Sequence, residues 1–278
     1  DMGQPGRVLN VLLYPTLHSP MFWDMLSLSG YLVLNAVAAF AMLQAERMGV
    51  AAPRWLRPVV LLSIPWAVSI HTVTAFLYCG LPGRPLWFTA VLAPRFLASA
   101  FAAGPALLIL LCLLLERLSS FRAGREAIAR LGTIVAYAMT VNVFLLLLEF
   151  FTVLYGQVPD HVAPLAYLFF GLDGHSGLAP VMAFSLLLAA LSLVLLLVPR
   201  LRRDERLLAV AAACVFCSLL LEKGLGLIVA GFVPSPLGAV TGYVPTLPEG
   251  TIVAGIWATG ALLITVFYKI ALAVREAR

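Results

Sequence analysis

The chain has 278 residues, of which 62% are hydrophobic and only 11% charged, with a net charge of +5. Together with a mean hydropathy of +1.02, this lies outside the range of soluble globular domains. It predicts an all-α fold, a polytopic transmembrane helix bundle, because each crossing takes about 20 apolar residues and a lone span must satisfy its own backbone hydrogen bonds.

Seven spans are expected, at 21–45, 58–79, 87–115, 131–156, 178–199, 207–232 and 251–272. The basic residues sort by connecting loop. Arg47, Arg54 and Arg57 follow the first span, Arg117, Arg122, Arg125 and Arg130 the third, Arg200, Arg202, Arg203 and Arg206 the fifth, and Arg275 and Arg278 the last. The alternate loops hold only Arg7 and Arg84, with Asp160, Asp173 and Glu249 among their charges. The positive-inside rule then places the C-terminus in the cytoplasm and Asp1 on the outer side. Topology accounts for the pI near 9.2, so the basic excess gives no reason to expect a nucleic-acid partner. The expected partner along the spans is the lipid bilayer.

The loop at 157–177 carries an apolar piece too short to span, expected to lie along the outer surface or dock on a partner. The loop at 233–250 is dense in Pro and Gly and reads as a rigid, irregular outer cap. Trp23, Trp87 and Tyr155 read first as interfacial belt residues.

The chain is organised around residues 65–105, which carry His71 and Arg95 inside apolar spans. Ionisable groups in hydrocarbon are costly and mark pathways or ligand sites. At ~1.5 Å per residue, His71 and Arg95 are each expected ~12 Å below the outer edge. Glu149 comes to nearly the same level, Glu222 and Lys223 lie ~15 Å down, and Asp24 stands at the outer end of the first span. This outer-half placement favours proton exchange with the outside and a ligand such as a quinone, whose carbonyls need hydrogen-bonding partners and a proton-transfer group. His71 suits that role, with Asp24 passing protons to the outer water. Arg95 and Glu149 can pair, which lowers the cost of burying both. Glu222 and Lys223, ~100° apart on a helix, are expected to meet separate partners.

Structural readings stand beside these. His71 can bond a neighbouring carbonyl, Arg95 and Glu149 can be a purely structural pair, and Asp24 can be an interfacial residue or an early helix cap. Cys214 and Cys217, inside a span, read as small-residue packing and not as a metal site. One intramembrane histidine does not provide the axial set of a membrane haem, and the cysteines do not form an iron–sulfur pattern. Permanent redox centres are therefore expected on other subunits.

DMGQPGR followed by SPMFWD, SIHTVTAFLYCGLPGRP, LAPRFLASAFAAGPALLIL, LLEFFTVLYG and EKGLGLIVAGFVPSPLG resembles the NrfD/PsrC family of quinone-interacting membrane subunits, in order and over nearly the whole chain. Within it the wording is most similar to the DsrP branch of sulfur metabolism, with Hmc- and Hme-type subunits as further relatives. The resemblance implies an exchangeable quinone, menaquinone or ubiquinone, and no haem or iron–sulfur cluster held by the chain itself. It implies a subunit that is not an enzyme on its own, in a bacterial or archaeal inner membrane. Expected partners are a periplasmic ferredoxin-like iron–sulfur subunit, a multihaem cytochrome c and other membrane subunits.

Ten helices in two four-helix bundles are usual in that branch, so three helices are expected before Asp1. Residues 1–79 would complete the first, quinone-binding bundle with Asp24, His71 and Thr74 at the quinone. Residues 80–232 would form the second bundle, with Arg95, Asn142, Glu149, Glu222 and Lys223 as a proton route or structural network, and 233–278 the outer cap and final helix. Two readings of other classes remain: a proton-coupled secondary transporter and a non-catalytic anchor of a complex.

Overall fold

A computed structural model describes residues 4–119 and 121–276. Asp1 and Arg278, to which the expected topology assigns sides, lie outside them. Seven described helices are long and apolar enough to cross a membrane: α1 (Pro20–Met48), α2 (Leu56–Cys79), α3 (Leu92–Leu118), α4 (Arg125–Gly156), α6 (Ala179–Leu197), α7 (Glu205–Gly231) and α8 (Leu247–Glu276). The short α5 (Pro159–Phe169) stands between α4 and α6. The chain divides into two compact units, one of residues 1–74 with 244–278, the other of residues 75–243.

In the first unit α1 and α2 meet through side chains. The Trp66 indole donates to the Ser27 carbonyl at 2.8 Å. It also covers Gly30, where an added Cβ would stand 2.3 Å from the ring. Only a glycine lets the indole come that close.

In the second unit α3, α4, α6 and α7 form a bundle around one apolar core. Helices in lipid gain no hydrophobic drive from meeting each other, so small residues that permit close approach do much of the packing. Ala98, Ala102 and Ala106 recur at four-residue spacing along α3, Ala189 and Ser192 serve α6, and Ala211 and Ala212 serve α7. Arg125, Arg202, Arg203 and Arg206 gather at one end of this bundle. Arg125 Nε lies 3.3 Å from Glu205, and Asp204 caps α7 by accepting from the Arg206 and Leu207 amides. The antiparallel course of the helices puts α5 at the other end.

Two expectations fail at that other end for one reason. Trp87 is not an interfacial belt residue: it is 2% exposed, and its Nε1 donates to the Leu227 carbonyl at 2.9 Å. Tyr78 and Phe232 meet it edge-on, while Trp23 and Tyr155 stay exposed. Because the indole is drawn inward, residues 81–91 form turns, and α3 begins at Leu92 and not near 87. Arg95 is therefore in the first turn of α3, not eight residues into a helix.

The apolar piece of the 157–177 loop forms α5, and Leu165, Tyr167 and Leu168 are buried. Tyr167 donates to the Thr241 carbonyl at 3.1 Å, which ties the irregular loop after α7 to α5. Val240 packs on the same cluster.

The indole of Trp87 leaves no space over Gly231, where an added Cβ would lie 1.9 Å from Cε2. Gly231→Ala should cost about 1–3 kcal/mol through overpacking, seen as a lower unfolding midpoint in detergent. Gly104→Ala, with nothing within 4 Å of the added Cβ, should be neutral or stabilising. Equal midpoints for the two variants would contradict the packing.

Candidate functional site

The first unit holds a compact polar group. Asp24 is on the second turn of α1, and Thr74 donates to its Oδ1 at 2.6 Å. The contact between Trp66 and Gly30 sets the register that produces this bond, since Asp24 lies six residues before Gly30 and Thr74 eight residues after Trp66 in antiparallel helices. His71 is three residues from Thr74, hence on a neighbouring part of the same helix surface. It is half-buried. No hydrogen bond or ion pair joins it to Asp24 among the described residues. A carboxylate, a hydroxyl and an imidazole thus stand within about one helical turn, able to accept, donate and carry a proton.

The second unit holds a larger charged group. The Arg95 guanidinium on α3 donates through Nη1 to Glu149 on α4 and through Nη2 to Glu222 on α7, the latter at 2.6 Å. Lys223 Nζ lies 3.1 Å from the same Glu222 carboxylate and 5.6 Å from the centre of the Phe96 ring. Two cations and two carboxylates balance, which is the condition under which charges persist in a low-dielectric interior. Arg95 and Glu149 meet although Arg95 is in the first turn of α3 and Glu149 is seven residues from the end of α4. Helix α3 therefore starts deeper in the bundle than α4 ends, with residues 81–91 filling part of the space above.

Glu222 and Lys223 do meet each other, contrary to expectation. The α-helical geometry assumed for them does not hold, because residues Leu221–Leu227 of α7 form a π-helical stretch. In the wider turn consecutive side chains diverge less, so Glu222 reaches Arg95 while Lys223 folds onto the Glu222 carboxylate. Such stretches occur often at functional sites. The sequence signal is the GLG at 224–226 inside an otherwise helical run, where two glycines loosen the backbone. Gly226 also lies close against Met182 Sδ of α6, 2.9 Å from an added Cβ.

A second polar tier lies beneath the charges. Ser185 and Ser218 exchange hydrogen bonds with each other's carbonyls, both at 2.9 Å. Asn142, seven residues before Glu149 and so on the same face of α4, is 1% exposed. Its Oδ1 and Arg95 Nε are buried without hydrogen-bond partners among the described residues, whereas Lys223 Nζ has the Glu222 carboxylate. All five network residues chosen from sequence thus belong to one bundle, and the two serines extend the group. Cys214 is buried and Cys217 exposed, both as free thiols, and no cluster able to hold a metal occurs among the described residues.

Comparison with known proteins agrees with this architecture. The family described as "Polysulphide reductase, NrfD" matches residues 1–234. A putative membrane subunit of dimethyl sulfoxide reductase from Halobacterium salinarum is 24% identical over 95% of this chain and 68% of its own length. A subunit of selenate reductase from Mesobacillus selenatarsenatis is 21% identical over 57% of this chain and 44% of its own length. The chain thus spans about two thirds of one relative and less than half of the other. With seven membrane-length helices and a family match over most of its length, this chain belongs to the family described as "Polysulphide reductase, NrfD".

Proposed function

We propose that this protein is the quinone-reactive membrane subunit of a respiratory electron-transfer complex. Quinol is handled in the first unit by Asp24, His71 and Thr74, and electrons leave to a periplasmic ferredoxin-like iron–sulfur subunit. The observation that carries the reading is the Asp24–Thr74 hydrogen bond beside His71. It assembles an acceptor, a donor and a titratable imidazole in a helix pair whose other charged side chains, Glu46, Arg47 and Arg57, stand at the opposite helix ends. That set fits a quinol head group, which needs a hydrogen-bonding partner at each oxygen and supplies two electrons and two protons when oxidised.

Thr74 holds the Asp24 carboxylate, and Asp24 and His71 accept the protons and release them to the outer water. We assign the complex to sulfur metabolism of the DsrP type, with a multihaem cytochrome c among its partners and menaquinone or ubiquinone as the carrier. The two relatives are named as subunits of reductases, one of them as a membrane subunit, which supports a place in a multi-subunit reductase. The outer, periplasmic side is the α5 end, opposite the gathered arginines. In the second unit we assign Arg95, Asn142, Glu149, Glu222 and Lys223 to a proton route coupled to this chemistry.

His71→Ala should lower quinol-dependent reduction of the iron–sulfur partner by on the order of a hundredfold or more, with the complex still assembled. Unchanged turnover removes His71 from the mechanism. Glu149→Gln keeps a hydrogen-bond acceptor for Arg95 but no exchangeable acid, so turnover per assembled complex should fall by on the order of tenfold or more, even where the unbalanced charge lowers the yield of complex. Wild-type turnover in Glu149→Gln would leave the network a purely structural role.

A further inference from the structure

The charged network of the second unit touches two cavities, one on each side of Glu149. The larger, of about 340 Å³, opens at the α5 end and is lined by Phe88, Thr89, Glu149, Thr152, Val153 and His161 among others. The smaller, of about 40 Å³, lies within the network and is bordered by Arg95, Glu149, Glu222, Gly226 and Met182. Glu149 lines both. The larger cavity has room for several waters and polar groups to hold them, and the smaller has room for about one. Buried polar atoms take hydrogen-bond partners. Arg95 Nε is buried in the network without one among the described residues, and a water entering past Glu149 would supply it.

On the other side of the network polarity runs out. Below Asn142 and the Ser185–Ser218 pair, the core is built of Ala102, Ala106, Ile109, Val135, Met139 and Val215, each 0–1% exposed. Ser192 at this level bonds the Ala189 carbonyl of its own helix. On α4 no ionisable side chain occurs between Glu149 and Arg130 except the exposed Tyr137. That is ~28 Å of helix, most of the hydrocarbon thickness.

We propose that the second unit contains a one-sided water inlet. Its mouth is the cavity beside His161, and its inner end is the Arg95–Glu149–Glu222–Lys223 cluster. The apolar layer beneath closes it. The network exchanges protons with the aqueous phase at the α5 end only, and this bundle does not carry protons to the arginine-rich end. The inlet rests on assigning the network to proton transfer, and its test separates the two.

The test uses the assembled complex in sealed membranes of known orientation. Cys79, Cys112, Cys214 and Cys217 are first replaced by serine or alanine. Single cysteines are then introduced as Val153→Cys in the inlet, Phe151→Cys on the exposed apolar face of α4 near the same level, and Met139→Cys in the apolar layer. A membrane-impermeant cationic methanethiosulfonate is added to either side. Val153→Cys should react from the α5 side at least about tenfold faster than Phe151→Cys, since thiolate chemistry needs water. Met139→Cys should react from neither side. Equal rates for the first two, or labelling of Met139→Cys from the arginine-rich side, overturns the inlet. Fast labelling of Val153→Cys with unimpaired turnover in Glu149→Gln overturns proton transfer while leaving the inlet. Slow turnover in Glu149→Gln with Val153→Cys unlabelled does the reverse.

Discussion

The bundle of the second unit depends on the Arg95 guanidinium. Its two terminal nitrogens reach carboxylates on two different helices, so three of the four long helices are bound at one level by charge-assisted hydrogen bonds. Small-residue packing alone leaves helices free to slide, because lipid is as apolar as their faces. The planar guanidinium fork, by contrast, fixes both depth and rotation. Lysine in its place would lose that directionality. Lys223 instead acts as a local charge on Glu222, cancelling the second carboxylate and using the Phe96 ring as part of its surroundings. Removing one member alone would leave an unpaired charge in the bundle, which is far more costly than the pair is stabilising.

The remaining features at this end follow from the need to make room for the four charges. Helix α7 widens into π geometry where Glu222 and Lys223 leave it, and Gly224 and Gly226 permit the change. The carbonyl of Leu227, at the end of that stretch, accepts from Trp87. Trp87 in turn forces the chain before α3 into turns and delays the helix until Leu92. Arg95 falls in the first turn as a result, deep enough to meet Glu149. One indole therefore couples the backbone irregularity of α7 to the starting depth of α3. Gly231 is the contact that admits it.

The helical class, the spans and the polar residues were legible in sequence, because long apolar runs and isolated charges within them are strong signals. The pairing of Arg95 with Glu149 was legible too, from opposite charge at similar depth, even though the depth given to Arg95 rested on a helix that starts five residues too early. What was not legible depended on contacts remote in sequence. Trp87 at the end of an apolar run looks the same whether it faces lipid headgroups or Gly231, 144 residues away. The meeting of Glu222 with Lys223 required knowing that α7 is not a regular α-helix at that point, a fact recorded in sequence only as two glycines. In the first unit the bond between Thr74 and Asp24 rests on Trp66 covering Gly30. No spacing rule within either helix announces that contact.

The distribution of polarity bears on how such a membrane protein conserves energy. Charged and hydrogen-bonding side chains of the second unit gather toward the end that carries α5, while a continuous apolar core separates them from the arginines at the other end. A proton crossing that layer would lose hydration with no side chain to replace it, a cost of many kcal/mol for a bare charge. A hydrated network on one side of such a barrier can release or take up protons there as electrons move through the complex. It cannot by itself transfer them across without a rearrangement that opens the core, and residues such as Ile109, Val135 and Met139 are interlocked by packing on all sides. Under the proposed quinol chemistry, energy conservation would arise from the side on which protons are released, with the deep apolar layer keeping the two aqueous phases apart.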